Sequence, residues 1–96
     1  MESVDNIKQN IKDNKSYLLK KYPIKNIALF GSYTKNQQNI DSDIDILVEF
    51  KGQIGIRFID LADELEQLLS MKVDLVSRNG IKSKYYEAIK NDLVYV

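Results

Sequence analysis

The 96-residue sequence has no cysteine, no histidine and no tryptophan, and its one proline is Pro23. Without cysteine there is no disulfide, no thiolate nucleophile and no thiolate zinc site. Without histidine there is no Ser-His-Asp triad and no imidazole-held metal. Any general base must be Asp, Glu, Lys or Tyr. No run of roughly 18 apolar residues occurs, so no membrane-spanning helix is expected. The polar start MESVDNIKQN does not have the layout of a signal peptide, and a cytoplasmic location is the expectation. Net charge is lacking too, because 14 basic residues balance 14 acidic ones. Polyanion binders usually carry a basic excess, so direct nucleic-acid binding is not expected.

What is present suits one domain over residues 1–96. Hydrophobic residues at 44% and charged residues at 29% are ordinary for a soluble globular chain. A chain of this size buries roughly 60–70% of its unfolded surface, enough for one core without staples.

Hydrophobic periodicity divides the chain. Val4, Ile7, Ile11, Leu18 and Tyr22 recur at helical spacing over residues 3–21, with Ser3 as N-cap and Pro23 as the stop. Ile27 to Phe30, closed by Gly31, reads as a buried strand entering a tight turn. Residues 32–42 are polar and predict a short helix followed by a loop. Residues 43–50 alternate, with Ile44, Ile46, Val48 and Phe50 on one face and Asp43, Asp45, Leu47 and Glu49 on the other. Phe58, Leu61, Ala62, Leu65, Leu68 and Leu69 mark an amphipathic helix whose leucine stripe belongs in the core. Val73 to Val76 reads as a third strand and Lys82 to Asp92 as a last helix, with Tyr85, Tyr86 and Ile89 inward or at an interface. The apolar tail Leu93 to Val96 is expected to pack back onto the body. The fold class is α/β (α+β), a small sheet flanked by helices.

Two aspartates one residue apart at the head of an apolar strand require a reason. Residues i and i+2 point the same way, with Cα atoms about 6.5–7 Å apart. Asp43 and Asp45 can therefore converge on one ion, and Asp74 joins them if its strand lies beside theirs. Three carboxylates together raise one another's pKa values and destabilise the fold. A divalent cation reverses that effect, and Mg²⁺ takes a few carboxylates plus substrate phosphates. Two such ions clamp the attacking and leaving oxygens of an in-line displacement. Gly31 lets backbone approach a ligand, and the amides and hydroxyl at Ser32 suit phosphate oxygens. Lys35 reads either as a neighbour of the phosphates or as a solvated side chain. Asp41 reads as a turn residue. A calcium loop starting at Asp41 fails, because Ile46 stands where glycine is needed and Gly52 where the bidentate Glu belongs. Glu49, Lys82 and Lys84 read as solvated.

Gly31-Ser32, ten residues, then Asp43-Ile44-Asp45 resembles the GS-x10-D-x-D signature of the DNA polymerase beta-like nucleotidyltransferase superfamily. Asp74 in KVDLV matches its third carboxylate. LFGS, DSDIDILVEF and KVDLV together look like the minimal nucleotidyltransferase (MNT) group across nearly the whole chain. The resemblance implies a single nucleotidyltransferase domain with a small mixed sheet. It implies an Mg²⁺-dependent enzyme that moves AMP from ATP to a hydroxyl. Asp43, Asp45 and Asp74 would hold the metals, and Asp74 could take the hydroxyl's proton. Gly31, Ser32 and Lys35 would hold the triphosphate. Many MNT proteins act as antitoxins of a HEPN-domain ribonuclease toxin, some by adding AMP to one of its tyrosines, so that toxin is the expected partner. Where many relatives carry arginine or glycine after the GS, this chain has Tyr33, Lys35 and Asn36. Two other readings accompany this one: an antitoxin that neutralises by binding alone, and a nucleotidyltransferase acting on RNA or a small molecule.

Overall fold

Strand β1, Ile24–Phe30, and strand β2, Ile44–Phe50, form the antiparallel centre of the fold. The computed structural model describes residues 3–35 and 43–96. Strand β3, Val73–Ser77, runs parallel to β2, and a short β4, Val94–Tyr95, runs antiparallel to β1. The mixed sheet therefore has the order β3-β2-β1-β4. Parallel neighbours need a crossover. Helix α3, Arg57–Leu69, supplies it and buries Leu61, Leu65 and Leu69 at i, i+4 and i+8. At its end Ser70 takes a left-handed conformation, φ 54°, and the Glu66 carboxylate accepts from the Val73 amide at 3.1 Å.

The amino-terminal helical stretch is two helices rather than one. Helix α1, Val4–Asp13, is capped by Ser3, whose hydroxyl accepts from the Asn6 amide at 3.1 Å. Asn14 leaves helical geometry at φ −106°, ψ 5°, and helix α2, Lys15–Lys21, starts anew. Asparagine competes with helical hydrogen bonding through its own side chain, and Asn14 Nδ2 donates to the Asn10 carbonyl at 2.9 Å. The break lets Ile7, Ile11 and Leu18 all reach one core with Tyr22. That core lies on the sheet face bearing Ile27, Leu29, Ile44, Ile46, Val48 and Phe50.

Helix α4, Ser83–Ile89, is shorter than the sequence predicts and gives way to a 3₁₀ turn, Lys90–Asp92. Its Tyr86 packs against the Arg78 guanidinium, 3.7 Å from the ring centre, and Tyr85 is exposed. The tail packs back as β4, and the Val96 amide donates to the Ile27 carbonyl at 2.9 Å. Residues 31–35 form a bend and turns. Most of the expected short helix and loop, with Asn36 and Asp41, lies outside the described residues. Among the described residues no helix is long and apolar enough to cross a membrane.

Candidate active site

Ile44 and Ile46 are fully buried, which forces their neighbours Asp43 and Asp45 onto the opposite face of β2. The parallel register sets Ile44 against Val73 and Asp45 against Asp74. A hydrogen bond from the Ile44 amide to the Lys72 carbonyl, 3.0 Å, fixes that register at its open end. Asp74 is exposed on the edge strand, Asp43 is exposed, and Asp45 between them is half-buried. Across β1, Phe30 lies opposite Asp45, and the next residue is Gly31.

Gly31 is required twice over. Its φ is +83°, a region costly for side-chain-bearing residues. A Cβ there would also collide with the Asp45 carboxylate, lying 2.9 Å from its Cγ. The Thr34 hydroxyl and the Lys35 amide both donate to the Gly31 carbonyl, at 2.9 and 3.3 Å, and close the turn around Ser32. Gly31-Ser32 thus sits against Asp45, with Asp43 and Asp74 on the same side of the sheet.

The electrostatics follow from that crowding. Burial, then the charge of Asp74 and a hydrogen bond with it, then the charge of Asp43, push the Asp45 carboxyl up to about 6. Carboxylate oxygens are the kind of donor Mg²⁺ prefers. Among the described residues, no group of three acidic side chains is placed so that it could hold a metal ion without further ligands. Triphosphate oxygens and water would complete the coordination, as is usual for this ion.

Two residues near the corner differ from a plain phosphate grip. Tyr33 is only 4% exposed and belongs to the hydrophobic core, so it packs rather than faces a ligand. Lys35 Nζ stands 3.5 Å from Asp92 Oδ2 in the 3₁₀ turn. Neither contact has a local signal in the sequence. The position of Asp92 depends on how the tail pairs, which only the apolar LVYV run hints at.

The chain belongs to the nucleotidyltransferase domain family, whose pattern it matches over residues 11–96. Within that family its relatives include protein adenylyltransferases. A Methanocaldococcus jannaschii protein provisionally named protein adenylyltransferase MJ0128 is 45% identical over 98 residues, covering 100% of both chains. Protein adenylyltransferase MntA of Thermococcus cleftensis is 34% identical over 97 residues, covering 100% of this chain and 98% of its own. A solved structure provisionally described as a minimal nucleotidyltransferase superposes with a TM-score of 0.81 at 26% identity, over 97% of this chain and 95% of that one. A chain from the complex of tri-AMPylated Shewanella oneidensis HEPN toxin with MNT antitoxin matches at TM-score 0.70 and 25% identity, over 93% of this chain and 70% of that one. A chain from a toxin-antitoxin structure with AMP-PNP matches at TM-score 0.64 and 31% identity over 77% of this chain, which spans 62% of that chain's length.

Proposed function

We propose that residues 1–96 act as one Mg²⁺-dependent protein adenylyltransferase, which moves AMP from ATP to a tyrosine hydroxyl of a HEPN-domain toxin and so serves as its antitoxin. The observation that carries the proposal is the pairing of Asp45 with Asp74 across β2 and β3, beside Asp43 and against Gly31. The relatives named protein adenylyltransferase and the tri-AMPylated toxin complex support the substrate class. A reaction that consumes ATP agrees with the cytoplasmic setting expected from the sequence.

Asp43, Asp45 and Asp74 would hold Mg²⁺, which supplies charge neutralisation at the phosphates when bound. The Gly31-Ser32 corner offers backbone amides and a hydroxyl to the β- and γ-phosphates, and Lys35 adds a positive charge. The acceptor oxygen attacks the α-phosphorus, a new O–P bond forms, and the bond to pyrophosphate breaks. Asp74, exposed at the sheet edge, faces an incoming partner and takes the hydroxyl proton. Catalysis is then chiefly positioning and electrostatic stabilisation.

The test incubates the chain with ATP labelled at the α-phosphate, Mg²⁺ and a HEPN toxin. The toxin should acquire label, and Asp43→Asn with Asp45→Asn should remove it. Label that persists in the double variant refutes the assignment. A complex that forms and protects equally well without label identifies neutralisation by binding alone.

A further inference from the structure

We propose that Asp92 is a positioning residue for the nucleotide: it holds Lys35 while the phosphate grip is free and competes with the triphosphate for it. This rests on the reading of Gly31, Ser32 and Lys35 as that grip. The antiparallel register of β1 and β4 pairs Ala28 with Tyr95 and Leu29 with Val94. Just outside that ladder, Gly31 lies in the bend that follows β1 and Asp92 in the 3₁₀ turn that precedes β4. The Lys35–Asp92 contact brings that carboxylate to the turn that closes on Gly31, although 61 positions separate Gly31 from Asp92 in the chain (92 − 31).

Both partners are held at their roots. The Lys35 amide donates to the Gly31 carbonyl at 3.3 Å, and the tail after Asp92 is tied down by the Val96 amide on the Ile27 carbonyl, 2.9 Å. Lys15 Nζ adds a further tie to the Val96 carbonyl at 2.9 Å. The neighbouring Lys90 is engaged by Glu87 at 2.6 Å. Between these fixed roots the Lys35 and Asp92 side chains meet at 3.5 Å, with 50% and 39% of their surfaces exposed. That exposure makes the pair weak and exchangeable. A triphosphate presents several negative charges where Asp92 presents one, so Lys35 changes partner on binding. Asp92 then remains beside the phosphates as an uncompensated negative charge that opposes them and favours their release.

The probe is AMP-PNP with Mg²⁺, titrated calorimetrically into the full chain at low and high ionic strength. Asp92→Asn should tighten binding about 1.5- to 5-fold at low ionic strength, the range of an exposed ion pair. The gain should fade at high salt, as screening shortens the reach of exposed charges. Lys35→Gln should weaken binding, and in that background the gain from Asp92→Asn should shrink. Thermal unfolding of each variant verifies that it is folded, and Asp92→Ser serves if Asp92→Asn is not. Binding that is unchanged or weaker in Asp92→Asn overturns the proposal, as does a gain that is insensitive to salt or to Lys35. If the unmodified chain binds AMP-PNP while Asp92→Asn matches it, only this inference falls. If the unmodified chain takes up no AMP-PNP, the adenylyltransferase reading falls with it.

Discussion

Replacing Asp45 by Asn should make the metal-free protein more stable while abolishing nucleotidyl transfer. The carboxyl group of Asp45 rises from 3.8 to about 6 on folding, through burial, then Asp74, then Asp43. A raised carboxyl pKa means that the folded state prefers the protonated acid. Its effect on stability is therefore neutral below the unfolded value of 3.8 and becomes a growing penalty as pH rises through about 6. Taken in full, a shift of that size corresponds to about 3 kcal/mol at 1.36 kcal/mol per unit. Asp45 is only half-buried, and solvent screening reduces the figure to about 1 kcal/mol. Asparagine has nearly the same shape, keeps the space against Gly31 and can donate to Asp74.

The assay is urea or thermal unfolding in EDTA at several pH values. Near neutral pH the variant should gain about 1 kcal/mol, or about 4–8 °C in Tm for a chain of this size. The difference between the two proteins should shrink as pH falls from about 6 and vanish only below 3.8, where the Asp45 carboxyl is neutral in the folded and the unfolded state alike. Adding Mg²⁺ with AMP-PNP should stabilise the unmodified protein far more than the variant, because ligand that binds only the folded state adds its binding free energy. A variant that is less stable than the unmodified protein in EDTA near neutral pH would refute the reasoning. So would a difference that does not depend on pH. Either result would mean that the three carboxylates do not strain one another.

The remaining predictions concern the frame around the trio. Gly31→Ala should cost about 1–3 kcal/mol by urea unfolding, because it forces a side chain into φ +83° and onto Asp45, and it should abolish transfer. Tyr33→Arg, which adds a cation beside the Gly31-Ser32 turn, should lose more than about 2 kcal/mol rather than tighten ATP, because Tyr33 is 4% exposed in the core; a stable variant with tighter AMP-PNP binding would contradict that burial. Leu61→Ala, at a fully buried position of α3, should lower the urea midpoint by the equivalent of about 2–5 kcal/mol with an unchanged slope. Asn79→Ala removes a side chain that accepts from the Phe50 amide at 3.0 Å and should cost about 1 kcal/mol in the same assay.

What the sequence made legible was whatever rests on short range. The alternation of residues 43–50 is a period-two pattern, and it alone separates Ile44 and Ile46 from Asp43 and Asp45. The leucine stripe of α3 is equally local. The helix break at Asn14 was not legible, because apolar spacing runs through it and only the competing side-chain hydrogen bond to Asn10 shows why the helix stops. Tyr33 follows the same logic in reverse. A tyrosine in a polar stretch after a glycine turn gives no sign of burial, and only the closure of the turn onto Gly31 turns it inward.

The candidate site depends on both ranges at once. Asp43 and Asp45 share a face by alternation, but Asp74 reaches them only because α3 returns the chain parallel to β2 and Ile44 bonds Lys72 to set the register. A shift of one residue in that register would move the β3 side chains to the other face and take Asp74 with them. The trio is also unequal in a way that composition cannot reveal. Asp45 is pressed between Gly31 and Asp74, and its carboxyl pKa is raised there, while its two companions stay open to solvent. Burial and crowding therefore strain the Asp45 carboxyl in the middle of the cluster, and a divalent cation with a triphosphate would relieve that strain. The presence of that carboxyl at a strained position, beside the one glycine whose missing Cβ makes room for it, is the physical reason to read this corner as a site rather than as a strand end.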